Sequence, residues 1–245
     1  MSRNFVILLA AWLASGAGLA VLAEPSGVLM FVFVILGWLV ALVAHEYGHA
    51  AIAHHAGDHT VETNGYLSMD PLKYADPFTS VILPIAVLAL GGIGLPGAAV
   101  YLRPDLMQSR TWRSLSSLAG PAGTLVMMFA MVGVLYILMA IKPDAIALAQ
   151  GLALLAFLQA TAFILNLLPV PGLDGYGAIR PWLPPEVAFR LRKIEPVALI
   201  LLVAVIFLVP GAIAPLFAGA FAMTDALGVE QWLVATGFDA FRFWS

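Results

Sequence analysis

One short stretch near the end of the second long apolar segment has the residue types and spacing of a metal site. It reads His45-Glu46-Tyr47-Gly48-His49, an H-E-x-x-H motif in a predicted helix. A spacing of four residues places both imidazoles on one helix face, where they can bind one ion. Glu46 lies beside them, where its carboxylate can deprotonate a water molecule. Zinc suits these ligands and keeps a position open for water in catalytic sites, so the motif predicts catalytic zinc.

The alternative interpretation is a pair of buried, hydrogen-bonded histidines that bind no metal. All 5 histidines of the chain fall between positions 45 and 59. Ionisable side chains inside an apolar span are energetically costly and are usually functional. This clustering, with a glutamate between the two histidines, favours the metal site.

A catalytic zinc ion needs a third protein ligand, and several downstream residues could provide it. The candidates are Asp58, His54, His55, His59, Glu62, Asp70, Asp76 and Asp174. His54 and His55 lie about 180° and 280° around the helix from His45, so they point away from the ligand face. Asp58 and His59 fall in a predicted turn. We prefer Asp174, although the Pro and Gly residues around it also suit an ordinary turn.

The composition indicates a membrane protein. Of 245 residues, 62% are hydrophobic and only 10% are charged, which is too few charges to cover a soluble domain of this size. A net charge of −3 argues against a nucleic-acid partner. The absence of cysteine excludes disulfides, thiolate metal sites and a cysteine nucleophile.

Five segments have about the length and composition of transmembrane helices. They are residues 5–23, 27–56, 114–141, 145–168 and 196–223, the last with a kink predicted at Pro210-Gly211. The tail, 228–245, mixes aromatic and charged residues, which is typical of a segment at the membrane interface. We therefore predict an all-α polytopic fold with five to six transmembrane helices.

Three shorter features lie between the second and third of these segments. Residues 78–95 are apolar but rich in glycine, and they either cross the membrane or form a re-entrant segment. Residues 60–70 are predicted as a β-hairpin around Asn64-Gly65, and residues 98–102 as a short strand. We expect the edges at 66–69 and 98–102 to pair with an extended substrate by strand addition.

The placement of Lys and Arg decides between the two topologies. If 78–95 is re-entrant, nine of the 11 basic residues share one side of the membrane, whereas a full crossing divides them seven against four. Basic residues concentrate on the cytoplasmic side, so we favour a re-entrant segment, five true crossings and a cytoplasmic N-terminus. The helices that carry His45 and end at Asn166 then run in the same direction, which lets Asp174 meet the histidines.

The sequence is interpreted as a single membrane-embedded domain over residues 1–245. Its catalytic core spans about residues 28–180, preceded by an N-terminal helix within 1–26. Residues 196–245 form a C-terminal helix and the interfacial tail. We find no internal repeat and no low-complexity linker.

Two separated motifs together resemble the site-2 protease family of intramembrane zinc metalloproteases. They are His45-Glu46-Tyr47-Gly48-His49-Ala50 and Asn166-x-x-Pro169-x-x-x-Leu173-Asp174-Gly175. Residues 116–124 are similar to the family's Gly-Pro-x-x-Asn helix, but Thr124 stands in the Asn position. Residues 70–77 resemble a segment of the compact bacterial branch, and no PDZ or CBS domain is inserted.

The resemblance implies a zinc ion held by His45, His49 and Asp174, with Glu46 as the general base. It also implies that Asn166 helps to bind the substrate or the oxyanion near the metal. The expected substrates are transmembrane segments of other proteins, cleaved in signalling or in the clearance of signal-peptide remnants. The expected location is the bacterial inner membrane, with the active-site opening on the cytoplasmic side. The substrate, the pathway and the oligomeric state are not indicated.

Two other functions are compatible with part of this pattern. Broken, glycine-rich helices with intramembrane His and Asp also suit a transporter or an ion pathway, but no inverted repeat supports one. An inactive homologue that binds membrane helices without cutting them would not need Glu46, which is intact.

Overall fold

The computed structural model describes residues 1–22, 26–74 and 100–244, which form a bundle of helices. In chain order the helices are α1 (Arg3–Val21), α2 (Gly27–His55), α3 (Thr60–Thr63), α4 (Arg110–Ile141), α5 (Ile146–Asn166), α6 (Asp174–Ile179), α7 (Pro185–Leu208), α8 (Ala214–Ala226) and α9 (Gln231–Phe241). Short 3₁₀ turns occupy Tyr66–Ser68 and Arg180–Trp182. These described ranges contain no β-strand, so the prediction of a helical fold is confirmed.

Four helices are long and apolar enough to cross a membrane: α1, α2, α4 and α5. They coincide with the crossings predicted at 5–23, 27–56, 114–141 and 145–168. Helix α4 begins four residues earlier than predicted, because the side chain of Ser109 accepts a hydrogen bond from the Trp112 amide and caps its first turn.

The predicted crossing at 196–223 is divided between two helices. Helix α7 starts at Pro185, well before the predicted segment, and its N-terminal half carries several charged residues. The chain then breaks between α7 and α8 at the predicted Pro210-Gly211, where Gly211 has a φ of 81°. The kink is therefore a complete interruption of the helix, and the number of crossings stays a prediction.

Helix α5 lies at the centre of the bundle. In its most apolar 18-residue window 83% of the residues are buried, as expected for a helix that is apolar on all sides. Helices α2, α4, α8 and α9 pack around it. Small residues let α2 and α4 approach closely, since an added Cβ would lie 2.4 Å from Ala119 O at Gly48 and 2.7 Å from Ala44 O at Gly123.

The β-hairpin predicted at 60–70 is wrong. Residues 60–63 form the helical turn α3, in which the Asp58 carboxylate accepts a hydrogen bond from the Thr60 amide at 3.1 Å. Asn64-Gly65 does form a turn, with Gly65 at a φ of 77°, but it joins two helical turns. Ser68 O accepts from the Ser2 amide at 2.7 Å, so this backbone pairs with the N-terminus instead of a neighbouring strand.

The other two predictions for this region fall partly or wholly beyond the described residues. Residues 78–95 and positions 98 and 99 lie outside them. Residues 100–102 are described and have no regular secondary structure.

The C-terminal tail packs on the bundle through helix α9. Val234 and Phe241 are buried in the main apolar core, and an added Cβ at Gly237 would lie 2.7 Å from Gln150 O of α5. Trp232 and Trp244 remain about half exposed on the outer side. The position of this tail at the membrane interface stays a prediction.

Candidate metal centre

Three side chains converge where α2, α4 and α6 meet. His45 Nε2 lies 3.2 Å from Asp174 Oδ2, and His49 Nε2 lies 3.3 Å from Asp174 Oδ1. The two Nε2 atoms are 3.1 Å apart. Each residue offers one ligand atom, and these atoms lie within 4.8 Å of one another. The sequence-based expectation that Asp174 meets the two histidines is met by this geometry.

The tautomers of both imidazoles can be deduced from their outer hydrogen bonds. His49 Nδ1 donates to the Ser116 carbonyl oxygen at 2.7 Å, and a carbonyl can only accept. His45 Nδ1 lies 2.9 Å from Thr124 Oγ1, whose own hydrogen is directed to Gly120 O at 3.4 Å. Both Nδ1 atoms therefore carry hydrogen, which leaves the Nε2 lone pairs free for a metal. Two imidazole nitrogens and a carboxylate suit zinc.

The turn between α5 and α6 delivers Asp174 to the histidines. Helix α5 ends at Asn166 because Pro169 and Pro171 cannot continue it. Gly172 then adopts a φ of 100°, which favours glycine. An added Cβ at Gly175 would lie 2.2 Å from Leu167 O, so only glycine allows the chain to turn back tightly here.

A hydrogen bond between helices holds α6 against α4. Ser114 Oγ donates to Ala178 O at 2.6 Å and accepts from Trp182 Nε1 at 2.9 Å. Gly177 faces Ser117, whose Oγ would lie 2.7 Å from an added Cβ. These contacts position the start of α6, and with it Asp174, relative to the helix that also orients His45 and His49.

The ionisation of Asp174 suits a metal ligand. Burial by itself would raise the pKa of the Asp174 carboxyl. The adjacent His49 and His45, when they are protonated at Nε2, outweigh this effect and hold the pKa below its ordinary value, and a bound metal cation would replace those protons. Asp174 is thus a carboxylate, the form that binds metal.

Gly120 gives the imidazoles their space. An added Cβ there would lie 2.1 Å from His49 Nε2 and 2.6 Å from His45 Nε2, closer than any real contact. The Gly-Pro pair of α4 therefore lies directly against the candidate ligands. No side chain other than hydrogen fits at this position while both nitrogens point at one ion.

Glu46 is buried, with 2% of its surface exposed. Its Oε2 accepts a hydrogen bond from the Val100 amide at 3.1 Å. The chain after Val100 also contacts the C-terminal end of α2. The Arg103 amide donates to Asp58 Oδ2 at 2.7 Å, and the Gln108 amide donates to Ala56 O at 2.9 Å. This segment brings a backbone donor to the carboxylate beside the two histidines.

Asn166 lies at the end of α5 and is 3% exposed. It lies close to the metal group, which consists of His45, His49 and Asp174, but does not belong to it. It lines a cavity of about 20 Å³ together with His45, Thr124 and Gln159. The structure therefore places Asn166 close to one candidate ligand, His45.

The other candidate third ligands lie elsewhere. Asp58 is fully buried and accepts hydrogen bonds from Thr60 and Arg103. His54 Nε2 lies 3.3 Å from Glu62 Oε2 and 3.3 Å from His59 Nδ1, and His55 packs against the Trp112 ring. Asp70 accepts from Asn4. Among these described residues none approaches the His45 and His49 group, and Asp76 lies outside the described ranges.

Sequence reasoning did not assign the roles of three residues that shape the site. Thr124 and the Ser116 carbonyl hold the histidine rings, and the Val100 amide binds Glu46. The substitution of Thr for the family's Asn was the only signal for Thr124. No residue type marks a backbone carbonyl or amide in advance, because every residue carries them.

Comparison with known proteins identifies the family. The chain is 42% identical over 248 residues to a Mycolicibacterium smegmatis protein provisionally named zinc metalloprotease Rip2, covering 100% of this chain and 94% of that one. It is 46% identical over 216 residues to the Rip2 of Mycobacterium tuberculosis H37Rv, covering 88% and 82%. Bacillus subtilis YwhC, also provisionally named a zinc metalloprotease, is 29% identical over 183 residues, covering 73% and 81%.

Neither a family model nor a solved structure matches the sequence. The level and extent of the identities nevertheless decide the assignment, because they cover nearly all of the chain and of its relatives. The four apolar helices agree with an integral membrane protein. The chain is a zinc metalloprotease and belongs to the site-2 protease family.

Proposed function

We propose that this protein cleaves peptide bonds within transmembrane segments of other membrane proteins. One observation carries the proposal: two of the three candidate zinc ligands, His45 and His49, lie on a helix that is long and apolar enough to span a bilayer, and Asp174 of the short helix α6 meets them there. His45 and His49 belong to a 29-residue apolar helix, and their side chains are buried among other helices. A peptide bond reaches such a site most directly from the membrane itself.

The proposed chemistry assigns a role to each residue of the group. His45, His49 and Asp174 would hold zinc, and the ion when bound would polarise the scissile carbonyl and make water a better nucleophile. Glu46 takes the proton from the attacking water and passes it to the nitrogen of the leaving peptide. The Val100 amide binds Oε2 and so fixes the orientation of the carboxylate, whose remaining lone pairs can take the proton.

Asn166 is proposed to stabilise the oxyanion that forms on the scissile carbonyl. Its side-chain amide offers two N–H donors, and it lines a cavity with His45. In this role its contribution arises in the transition state, where the oxygen gains charge.

A groove on the outer side of α2 and α4 is the proposed site for the substrate segment. It has a volume of about 580 Å³ and is lined mainly by small and apolar residues, among them Tyr47, Gly48, Leu118, Ala119 and Val126. Gly48 and Ala119 adjoin His49 and Gly120 in sequence, so the groove borders the metal group. An apolar transmembrane segment can bind there without leaving the hydrocarbon.

The substrate must unwind before it is cut, because a helix keeps the scissile carbonyl hydrogen-bonded. Residues 100–102, which have no regular secondary structure, remain the described part of the proposed edge at 98–102 for pairing with the unwound strand. The second edge considered, at 66–69, is withdrawn because these residues form a 3₁₀ turn and a left-handed residue at Met69.

The proposed orientation places the metal group near the cytoplasmic face. His49 contacts Ser116 near the start of α4, so α2 ends and α4 begins on the same side of the bundle. Nine of the 11 basic residues lie on that side in this topology, which favours the cytoplasm. Cysteine-accessibility labelling at positions 64 and 144 of the cysteine-free chain would test it, with position 64 expected to react from the cytoplasmic side.

The proposed activity is tested with purified protein in lipid vesicles and a generic transmembrane peptide. Glu46→Gln is expected to retain one zinc ion per chain and to lose cleavage, whereas His45→Ala loses both. Glu62→Gln provides a matched control, since its side chain is 70% exposed and outside the group. Full cleavage by Glu46→Gln would refute the assigned base.

The same measurement separates the two other functions that the sequence left open. Zinc binding without cleavage by the wild type would indicate a helix-binding homologue that is inactive as a protease. If the wild type neither binds zinc nor cleaves the peptide, the transporter interpretation remains.

A further inference from the structure

Two buried donors near the metal group have no hydrogen-bond partner among the described residues. They are the indole N–H of Trp38 on α2 and the side-chain amide nitrogen of Gln159 on α5. Trp38 is 4% exposed and Gln159 is 2% exposed. Inside a membrane bundle an unpaired donor is costly, because no solvent water is available to satisfy it.

Both side chains line the same small cavity. Its other polar lining residues are His45, Thr124 and Asn166, and its volume is about 20 Å³. A cavity needs about 10–15 Å³ and two to four polar partners to hold a water molecule. This one has room for one water and surrounds it with donors and acceptors.

We propose that Gln159 is a positioning residue of the active site, acting through one buried water that it holds together with Trp38. The water accepts hydrogen bonds from the Trp38 indole and the Gln159 amide. It donates its two hydrogens to the side-chain oxygens of Asn166 and Thr124. Each of the two orphaned donors thereby gains a partner, and the water makes four bonds.

The consequence for the site follows from the partners of this water. Gln159 and Asn166 are seven residues apart on one face of α5, about 10.5 Å along its axis. Both side chains nevertheless line the same small cavity, and it is this convergence that lets one water join them. Thr124 Oγ1 already accepts from His45 Nδ1 and has a second lone pair for the water. The water thus fixes Asn166, with its N–H donors directed to the reacting carbonyl, and supports the ring of His45. This inference rests on the proposed proteolytic function.

A pair of substitutions with matched shape tests the proposal. Asn and Leu have similar branched side chains, but only Asn can bind the water. Gln159→Leu is expected to lower kcat by about tenfold or more, the effect of losing one buried hydrogen bond, with KM and zinc content little changed. Gln159→Asn is expected to retain most of the activity. A packing role predicts the reverse order, because Leu fills an apolar core better than Asn.

Gln150 provides the control on the same helix. It is 7% exposed, its Oε1 also lacks a partner among the described residues, and it does not line the cavity. Gln150→Leu and Gln150→Asn are expected to leave kcat within about twofold of the wild type, because they alter a polar group remote from the site. Equal losses at positions 150 and 159 would overturn the proposal.

A spectroscopic measurement tests the water without any cleavage. The indole resonance of Trp38, assigned with Trp38→Phe in ¹⁵N-tryptophan-labelled protein, is expected to show a cross-peak to bound water. Gln159→Leu should shift this resonance and remove the cross-peak, in zinc-free as in zinc-loaded protein. The absence of the cross-peak in the wild type would overturn the proposal even if the protease is active. A cross-peak in a protein that cleaves nothing would instead contradict the proposed function and the catalytic part of this inference.

Discussion

Replacing Thr124 with Val removes one hydroxyl next to His45 and keeps the shape of the side chain. His45 Nδ1 then has no acceptor at the 2.9 Å position that Thr124 Oγ1 occupies. The hydrogen bond holds the ring in the tautomer that leaves Nε2 free, and it strengthens when the ring binds a cation. We therefore expect zinc binding to weaken in Thr124→Val while the fold is retained.

The size of this effect can be worked from the site. A buried donor left without its partner costs about 1–3 kcal/mol, whereas hydrogen bonds between membrane helices average about 0.6 kcal/mol with a maximum near 1.7. We take about 1–2 kcal/mol for a bond next to a metal ligand. At 1.4 kcal/mol per decade, zinc affinity should fall about 5- to 30-fold.

The assay is a zinc titration against a competing chelator in detergent, at one fixed pH. Thr224→Val provides a close control, because Thr224 Oγ1 bonds the carbonyl four residues earlier, Ala220 O, as Thr124 Oγ1 bonds Gly120 O. Both threonines are buried, but Thr224 lies on α8 and contacts no candidate ligand. A Kd in Thr124→Val within twofold of the wild type, or an equal change in both variants, would refute the reasoning.

Three further predictions concern the same site. Gly120→Ala should abolish zinc binding, because its Cβ would overlap both Nε2 atoms. Gly133→Ala on the same helix should preserve both zinc content and Tm, because an added Cβ there has no atom within 4 Å. A Gly120→Ala protein that binds zinc would disprove the overlap. Val100→Pro removes the N–H group that donates to Glu46 and should lower kcat at unchanged zinc content. Val100→Ala keeps this N–H group and should remain active. Equal activities of the two variants would show that the contact has no effect. Chelation of zinc should lower Tm reversibly, because zinc at a thousandfold excess over its Kd contributes about 4 kcal/mol to the free energy of unfolding. A Tm that does not depend on zinc would argue against a metal held jointly by α2 and α6.

The helices were predictable because their signal is local. A run of about 20 apolar residues can satisfy its backbone in lipid only as a helix, so the four long helices appear in the sequence within a few residues of their real ends. The H-E-x-x-H motif was predictable for the same reason, since a spacing of four residues fixes two side chains on one helix face. The resemblance of the motifs also indicated the family that the relatives confirm.

The short segments were less predictable because partners distant in sequence decide them. Asn64-Gly65 suits a hairpin or a helical turn equally well. The hydrogen bond from the Thr60 amide to Asp58 and the contact between Ser2 and Ser68 select the turn. Likewise Pro210-Gly211 indicated a kink, but the length of the interruption depends on how α7 and α8 pack.

By itself, the sequence determined which residues can bind zinc and that they lie on apolar helices, because residue type and helical period are properties of a short stretch of chain. The sequence favoured Asp174 among several candidates, but only the tertiary structure showed that this residue, 125 positions beyond His49, lies beside both histidines, because this requires α2, α4 and α6 to pack at one end of the bundle. The tertiary structure also decided that Thr124, a carbonyl at Ser116 and an amide at Val100 orient the reacting groups. Such contacts depend on the relative position of separate helices, which no local pattern encodes.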